Sequence, residues 1–274
     1  GELAGEEEGA PEKGASGASR RYAFWSFSAL LSSELRSIVL PCLSSVVSDI
    51  AAELEFAVAN WCNPTSKFHG SKKRRKLDDE DRKFDNEALR PLQPLLLCLE
   101  SALKADAHDG GGWIRSDDGE RYRAILEPLG KLLVSKVPND FPVTSSLGPK
   151  ETSSTTSFEK IVQGVGTEEH GSVVGCLTAL AAAAGNEQLW KPLNHAILES
   201  CGNEERSEVR KAGVSCLLSV IQSLGEEYMV LLPESLPILS ELLEDSDEDI
   251  AGLAKECITQ GEELLGESLD DAIS

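Results

Sequence analysis

The amino-acid sequence predicts an all-α protein in which antiparallel helix pairs stack side by side. Apolar residues recur at helical spacing in several segments, and this pattern itself repeats about every 40 residues. Hydrophobic residues make up 41% of the chain but aromatic residues only 5%. A composition dominated by Leu, Val, Ala and Ile favours stacked helices over a β-sandwich, whose strands would be richer in Tyr, Trp and Thr.

The clearest helical pattern lies between Glu208 and Leu224. Its small and apolar residues form one stripe along four turns, at positions 209, 212, 213, 216, 217, 220, 221 and 224. Gly225 interrupts the pattern, and a second stripe follows at Leu236, Leu239, Leu242 and Leu243. The short break predicts that the second helix folds back on the first as an antiparallel pair.

The same stripe recurs on both sides of this pair. A shift of 41 residues places it on Ile250 to Leu265, and a shift of 40 in the other direction places Cys216 on Cys176. A helix-pair period of about 40 residues is typical of HEAT and armadillo arrays. We therefore predict a HEAT/armadillo-like α-solenoid, in which one pair cannot bury both of its faces and needs neighbours.

Six residues are expected to serve the repeat structure: Trp190, Pro192, Val209, Arg210, Pro233 and Pro237. Val209 and Arg210 follow an acidic residue and resemble the Asp-Val-Arg start of the second helix of a HEAT repeat. The equivalent positions elsewhere hold Ala251 and His170, so the arginine is not repeated. Trp190 is expected to pack between repeats, with ligand stacking as the alternative.

The pattern divides the chain into successive segments. We predict a disordered linker over 1–20, a helical segment over 21–61, a helix pair over 87–136, a loop over 137–156, HEAT-type repeats over 157–267 and a tail over 268–274. Within the repeats, helices are expected at 157–165, 171–184, 188–201, 207–224, 229–244 and 248–265. Proline should break the 21–61 helix at Pro41 and kink the later one at Pro128.

Four aromatic residues open the segment 21–61: Tyr22, Phe24, Trp25 and Phe27. We interpret this cluster as the seam with an upstream solenoid, because the first residue is Gly and the chain has the character of a piece of a longer protein. A binding site for a separate partner is the alternative.

Residues 62–86 differ sharply from their surroundings, since they are rich in charge and poor in apolar residues. We predict a disordered insertion there. It contains five consecutive basic residues, Lys72, Lys73, Arg74, Arg75 and Lys76, which are typical of a nuclear-import signal or a nucleic-acid patch. The acidic residues that follow at 78–81 reduce its reach as an RNA site, so import is the favoured interpretation.

The formal net charge of −21 excludes a protein that coats phosphate backbones over its whole surface. From residue 168 to 274 there are 22 acidic and 5 basic residues. This half of the chain should repel nucleic acid; it suits a basic protein partner, or it serves solubility alone.

No catalytic, cofactor or metal site is predicted. The chain lacks the GxSxG, HExxH, Walker and GxGxxG motifs. Its seven cysteines include no CxxC, and the four histidines fall near no pair of closely spaced cysteines, so we interpret the cysteines as reduced core residues. No apolar run approaches about 18 residues, so no membrane partner is expected.

Specific strings give the chain a family resemblance. Residues 189–194 (LWKPLN), 208–210 (EVR) and 228–237 (YMVLLPESLP) occur in the order and spacing of one family, and 33–41 (SELRSIVLP) matches it before the basic insertion. The chain resembles the C-terminal region of the large HEAT-repeat proteins of the nucleolar small-subunit processome, in its transcription-linked U-three small nucleolar RNA-associated subcomplex. The resemblance spans residues 24–269 and is weaker between 62 and 158.

This resemblance implies a non-catalytic scaffold in the nucleus and nucleolus. Members of the family are long α-solenoids that bind other processome proteins, the U-three small nucleolar RNA particle and pre-rRNA, and support processing toward small-subunit rRNA and ribosomal DNA transcription. We expect RNA contact mainly through upstream repeats. Two alternatives remain open: a HEAT-type nuclear transport receptor or adaptor, and a regulatory scaffold of a phosphatase or kinase complex.

Overall fold

The computed structural model describes residues 15–62, 91–135 and 171–269. Within these ranges the secondary structure is helical throughout, as expected for an all-α solenoid. The helices are α1 (Ala15–Leu35), α2 (Leu40–Ser44), α3 (Val47–Cys62), α4 (Leu92–His108), α5 (Gly112–Arg115), α6 (Glu120–Val134), α7 (Val173–Ala184), α8 (Glu187–Cys201), α9 (Ser207–Leu224), α10 (Leu232–Leu242) and α11 (Glu248–Leu265). Short 3-10 helices occupy Arg36–Val39 and Gly225–Val230.

The long helices form two rows. Helices α3, α6, α8 and α10 pack in succession and form row A. Helices α1, α4, α7, α9 and α11 pack in succession and form row B. Each helix of row A also contacts the row-B helix that follows it in the chain, so four A–B repeats result: α3/α4, α6/α7, α8/α9 and α10/α11. Together these contacts are the architecture of an α-solenoid.

The pairing differs from the one expected around Gly225. The sequence pattern suggested that α9 and α10 form a pair, but α9 packs against α8 and α11 and hardly meets α10. The stretch between them is a 3-10 helix rather than a tight reversal, so it carries the chain from row B back to row A. The prediction that the helices of 87–136 form a pair is also wrong. Helix α4 packs on α1 and α7 rather than on α6.

Several helix boundaries agree with the sequence pattern and others do not. Helices α9 and α11 begin and end where expected, but the helix expected at 229–244 is limited to Leu232–Leu242. The linker expected over 1–20 extends too far, since α1 begins at Ala15. Helix α6 continues through Pro128. The expected helix 157–165, loop 137–156 and most of insertion 62–86 lie outside the described residues.

The break expected at Pro41 occurs earlier. Helix α1 ends at Leu35, and Arg36 takes a positive φ of 50°, which non-glycine residues seldom adopt. Pro41 instead lies in the first turn of α2, where its missing N–H costs nothing. The sharp change of direction comes after α2, where the axes of 17–44 and 47–59 meet at 93°.

Side chains and glycines define the helix ends in the C-terminal repeats. Asn186 Oδ1 accepts from the backbone N–H of Leu189 at 3.0 Å, and Asp247 Oδ1 accepts from that of Asp249 at 3.0 Å. These N-caps satisfy donors that the first helical turn leaves open. Gly185 ends α7 and Gly266 ends α11 in the left-handed conformation that glycine adopts without strain.

Row B is closely packed because its contact faces carry glycine and alanine. Helix α7 contains five alanines, and each of its residues is at least partly buried. Gly213 of α9 makes the close approach to row A: a Cβ there would lie 2.7 Å from the backbone nitrogen of Cys201 in α8 and 3.0 Å from its Sγ. At Gly175 of α7, a Cβ would collide with the carboxylate of Glu100 in α4. At Gly213 the nearest neighbouring atom is backbone and cannot move aside, so the approach of α9 to α8 requires glycine there.

The variant Gly213→Ala tests this close approach. We expect it to lower the free energy of unfolding by about 1–3 kcal/mol, because the added methyl group forces α8 and α9 apart. Gly252→Ala is the matched control, since Gly252 is exposed on α11 and a methyl group there would meet no neighbouring helix or side chain within 4 Å.

Gly252→Ala should be neutral or stabilising by up to about 1 kcal/mol, the difference in helix propensity. Urea unfolding followed by circular dichroism measures both variants. Equal effects of the two substitutions would show that α8 and α9 are not in close contact.

Candidate interaction surface

Arg210 connects two neighbouring repeats at the start of α9. Its Nε donates to Asp245 Oδ2 at 2.7 Å and its Nη2 to Asp245 Oδ1 at 3.1 Å, a two-pronged contact with the α10–α11 turn. Its Nη1 also donates to the carbonyl of Asn203, at 3.0 Å, in the α8–α9 turn. The arginine thus fixes the turn of its own repeat against the turn of the next one.

Both members of this ion pair are largely buried, with 15% of the Arg210 side chain and 7% of the Asp245 side chain exposed. The hydrogen bond from Arg210 lowers the pKa of Asp245, and the backbone N–H of Asp247 adds to the effect. Because its pKa is lower in the folded state, the Asp245 carboxyl stabilises the fold fully at pH values above the pKa that it has in the unfolded chain. This contribution is lost as the pH falls through the folded-state pKa.

Polar contacts also join earlier repeats along the same edge. Glu100 of α4 accepts from the backbone N–H of Ser172 at 3.3 Å, next to the start of α7. Arg206, in the α8–α9 turn, donates to the carbonyl of Val134 at the end of α6. The negative Glu100 lies at the N-terminal end of α7 and the positive Arg206 at the C-terminal end of α6. The unpaired backbone groups and the dipole of each helix favour these charges.

The other residues expected to serve the repeats lie on α8, α9 and α10. Trp190 is buried, and its Nε1 donates to the carbonyl of Ala181 at 2.8 Å, which links α8 to α7. Val209 is buried in row B. Pro192, Pro233 and Pro237 are exposed on row A, with Pro233 in the first turn of α10 and the other two inside helices.

A buried polar cluster that sequence reasoning missed connects the last two repeats. Tyr228 Oη donates to Asn194 Oδ1 at 3.0 Å and lies 2.6 Å from Ser235 Oγ. All three side chains are fully buried. Asn194 could have signalled this cluster, because it stands in the apolar stripe of α8 between Leu193 and Ile197. Buried polar groups in such a stripe need partners.

A second missed site lies around the one-turn helix α5. The buried carboxylate of Asp106 accepts from the backbone N–H groups of Trp113 at 2.7 Å and Ile114 at 3.0 Å. The Trp113 indole then donates to Ser44 Oγ at 2.9 Å. These contacts hold the one-turn helix α5 against α2, and sequence periodicity gives no signal for them.

The solenoid has two different edges. One edge carries the A–B turns, which are 202–206 and 243–247 in the last two repeats. The A–B connections of the first two repeats are the long segments 63–91 and 135–172. The basic residues Lys72–Lys76 belong to the first of these connections and lie outside the described residues. The connection that contains the pentad therefore begins at this edge, after the end of α3.

The cysteines and possible metal ligands give no chemical site in the described ranges. Cys98, Cys176, Cys201, Cys216 and Cys257 are buried free thiols, and burial raises the pKa of Cys98 to about 11. Cys42 is exposed, so the expectation that all the cysteines belong to the core is wrong for it. Among residues 15–62, 91–135 and 171–269, no three His, Cys, Asp or Glu side chains are grouped to hold a metal ion.

The described helices differ in length and apolar character from membrane-spanning segments. No single helix among them is long and apolar enough to cross a membrane. One bent combination, 17–44 with 47–59, meets the length and composition requirement when its two parts are taken together.

Comparison with known proteins identifies the family. No protein-family model matches the chain. An uncharacterised protein of Arabidopsis thaliana is 32% identical over 85% of the chain. HEAT repeat-containing protein 1 of Homo sapiens is 38% identical over 35%, and U3 small nucleolar RNA-associated protein 10 of Chaetomium globosum is 32% identical over 58%.

The chain belongs to the family of these last two proteins. Its similarity to them is consistent with the C-terminal region that the sequence strings indicated. The matched part is 9% of the Arabidopsis protein, 4% of the human protein and 9% of the Chaetomium protein. The chain thus spans a tenth or less of the length of these relatives.

Replacing Arg210 by Ala tests the contact between the turns. We expect the free energy of unfolding at pH 7 to fall by about 1.5–3 kcal/mol, since hydrogen bonds to a buried charge are lost. The difference between native protein and variant should shrink as the pH falls below about 4, the ordinary pKa of an unfolded aspartate, because protonated Asp245 no longer binds the guanidinium as an ion.

Lys211→Ala is the matched control for Arg210→Ala. Its ammonium lies 2.5 Å from Asp249, but 48% of Lys211 and 70% of Asp249 are exposed. Exposed ion pairs of this kind contribute little to stability, because water and salt screen them. Urea unfolding between pH 2.5 and 7 measures both variants, and a pH-independent loss in Arg210→Ala would contradict the role of the ion pair.

Proposed function

We propose that this chain is part of a non-catalytic scaffold of the nucleolar small-subunit processome. The observation that carries the proposal is its similarity, over 58% of its length, to a protein named for its association with U3 small nucleolar RNA. In this proposal the scaffold supports pre-rRNA processing toward small-subunit rRNA, and ribosomal DNA transcription.

The solenoid supports a role in assembly. Stacked repeats expose long rows and edges, so each repeat adds contact area without a central pocket. The described residues of the last two repeats are strongly acidic, with exposed carboxylates such as Glu199, Glu208, Glu241 and Glu256 on successive helices. Such a surface repels RNA and favours proteins with basic segments.

The partners that we propose follow from this charge distribution. The acidic repeats bind other processome proteins. The U-three small nucleolar RNA particle and the pre-rRNA bind mainly to repeats of the full-length protein outside this chain. The Lys72–Lys76 pentad supports nuclear import, because basic clusters of this kind are read by import receptors and it belongs to a long connection between helices α3 and α4.

One experiment in cells tests location and partners together. The tagged chain is expressed, imaged and purified, and the RNA in the eluate is sequenced. We expect nucleolar signal and enrichment of processome proteins, U3 small nucleolar RNA and pre-rRNA. A variant with Gln at all five positions Lys72–Lys76 should remain cytoplasmic and recover none of these.

The matched control replaces five exposed basic residues elsewhere by Gln: Lys104, Arg123, Lys131, Lys191 and Lys255. It changes the net charge by the same amount and should stay nucleolar. Nuclear shuttling without the pentad would favour a transport receptor. Recovery of a phosphatase or kinase subunit, with no processome protein and no pre-rRNA, would contradict the scaffold proposal.

A further inference from the structure

Helices α8 and α10 are neighbours in row A, but they are joined at few positions. Asn194 Nδ2 donates to Ser235 Oγ at 3.5 Å, and a Cβ on Gly202 would lie 3.5 Å from Cδ1 of Ile238. The row-B helices behind them, α9 and α11, pack on each other much more extensively. A strip of exposed residues therefore runs between α8 and α10, on the side of row A that faces away from row B.

The floor of this strip is apolar and held in place from below. Leu198 of α8 and Ile238 of α10 each pack partly against the core and remain partly exposed. The fully buried cluster of Tyr228, Asn194 and Ser235 fixes the two helices relative to each other. Water covers the exposed parts of the two aliphatic side chains in the isolated chain, so another apolar surface would cover them favourably.

The walls of the strip carry negative charge. Glu187 and Lys191 are exposed on α8, and Glu234 and Glu241 are exposed on α10. Lys191 Nζ lies 2.7 Å from Glu187, which raises the pKa of Lys191, and Glu234 across the strip adds to the effect. Because α8 balances the charge of Lys191 with its own carboxylate, the wall formed by α10 stays negative.

The preceding interval of row A, between α6 and α8, differs in both respects. A Cβ on Gly130 of α6 would lie 3.5 Å from that of Ala196 in α8, so the two helices meet through small residues. The outer side of α6 carries Arg123, Glu127 and Lys131, and Lys131 pairs with Glu127 at 2.6 Å. That interval has balanced charge, whereas the interval between α8 and α10 combines an apolar floor with a negative wall.

We propose that the strip between α8 and α10 binds an amphipathic helix of another protein. We call it the α8–α10 strip: Lys191, Leu198, Glu234, Ile238 and Glu241. Leucine or isoleucine side chains of the bound helix cover Leu198 and Ile238, and its lysine or arginine side chains pair with the carboxylates of α10. This binding rests on the proposed function, in which the acidic repeats hold other processome proteins.

The spacing on α10 favours a helix as the bound segment. Glu234, Ile238 and Glu241 follow one another at i, i+4 and i+7, so they lie on one side of α10. A helix laid along α10 presents its own residues at the same spacing. One aliphatic residue then faces Ile238 while basic residues one turn before and after it face the two carboxylates.

Photo-cross-linking in cells tests where the partner lies. The tagged 274-residue chain carries p-benzoylphenylalanine in place of His195, which is exposed on α8 beside the strip, or in place of Arg123 on α6 as the matched site. The cross-linked peptides are sequenced by mass spectrometry. We expect position 195 to reach a segment of another protein with Leu or Ile at helical spacing and Lys or Arg beside them, and position 123 not to reach that segment.

The double variant Glu234→Lys with Glu241→Lys reverses the charge of the α10 wall. It should lower the yield of the cross-link at position 195 at least about tenfold, because two attractive contacts become repulsive. The matched control is Glu120→Lys with Glu127→Lys, which makes the same charge change at the same spacing on exposed positions of α6. Circular dichroism checks that both variants are folded.

A synthetic peptide of the cross-linked segment gives a second readout. Its binding to the chain should be lost with the double variant on α10 and return when the lysines and arginines of the peptide are replaced by glutamate. A merely structural role of the two glutamates would give no such rescue.

Several results would overturn the proposal. These are no cross-link at position 195, a cross-linked segment without basic residues, or equal losses in the two double variants. A cross-link to RNA, to a second copy of the chain or to residues 63–90 of the same chain would also contradict it. If the double variant on α10 still recovers processome proteins in full, the scaffold function stands and the strip is not its binding surface. A basic partner helix on a chain that recovers no processome protein would contradict the scaffold function and support the strip.

Discussion

The close approach of the row-B helices is the constraint on which the rest of the structure depends. Gly175 leaves room for the Glu100 side chain between α7 and α4 within row B, and Gly213 lets α9 of row B approach the backbone of α8 in row A. Van der Waals contacts at this distance are numerous, and a single added methyl group removes many of them. Row A is attached to row B by the close contact at Gly213 and also by polar links, such as Trp190 to Ala181. The solenoid therefore has one spine that is fixed by shape and a second row that is attached to it.

This division explains how the fold can serve a scaffold. Row B buries small residues and fixes the order of the repeats, so the connections at the edges can differ in length. Two of the four A–B connections are segments of 29 and 38 residues between described helices, at 63–91 and 135–172. Long insertions at turns cost little stability, since loop-closure entropy rises slowly with length. The basic pentad lies in such an insertion, where its charge does not disturb the core.

The sequence predicted helices well and their pairing less well. Periodicity predicted the first and last residues of α9 and α11 correctly. Both helices are amphipathic, Gly225 follows α9, and Asp247 and Gly266 flank α11. Periodicity is a local signal, however, and it does not tell which neighbour a stripe faces. The break at Gly225 suggested a hairpin, whereas the contact that holds the repeat together is between α8 and α9. Arg210 was noticed as a motif, but its partner Asp245 lies 35 residues away and only the fold brings them together. Asp106 and Tyr228 were missed because their partners are backbone groups or distant polar side chains.

Native-state amide hydrogen exchange tests most directly whether row B is the spine. If it is, the slowest exchange belongs to α7 and α9, which have row-B neighbours on both sides and the closest contacts. Exchange should be faster in α10, which depends on row-A contacts, and in α1, which has a row-B neighbour on one side among the described helices. Protection of α10 equal to or greater than that of α7 would contradict the account.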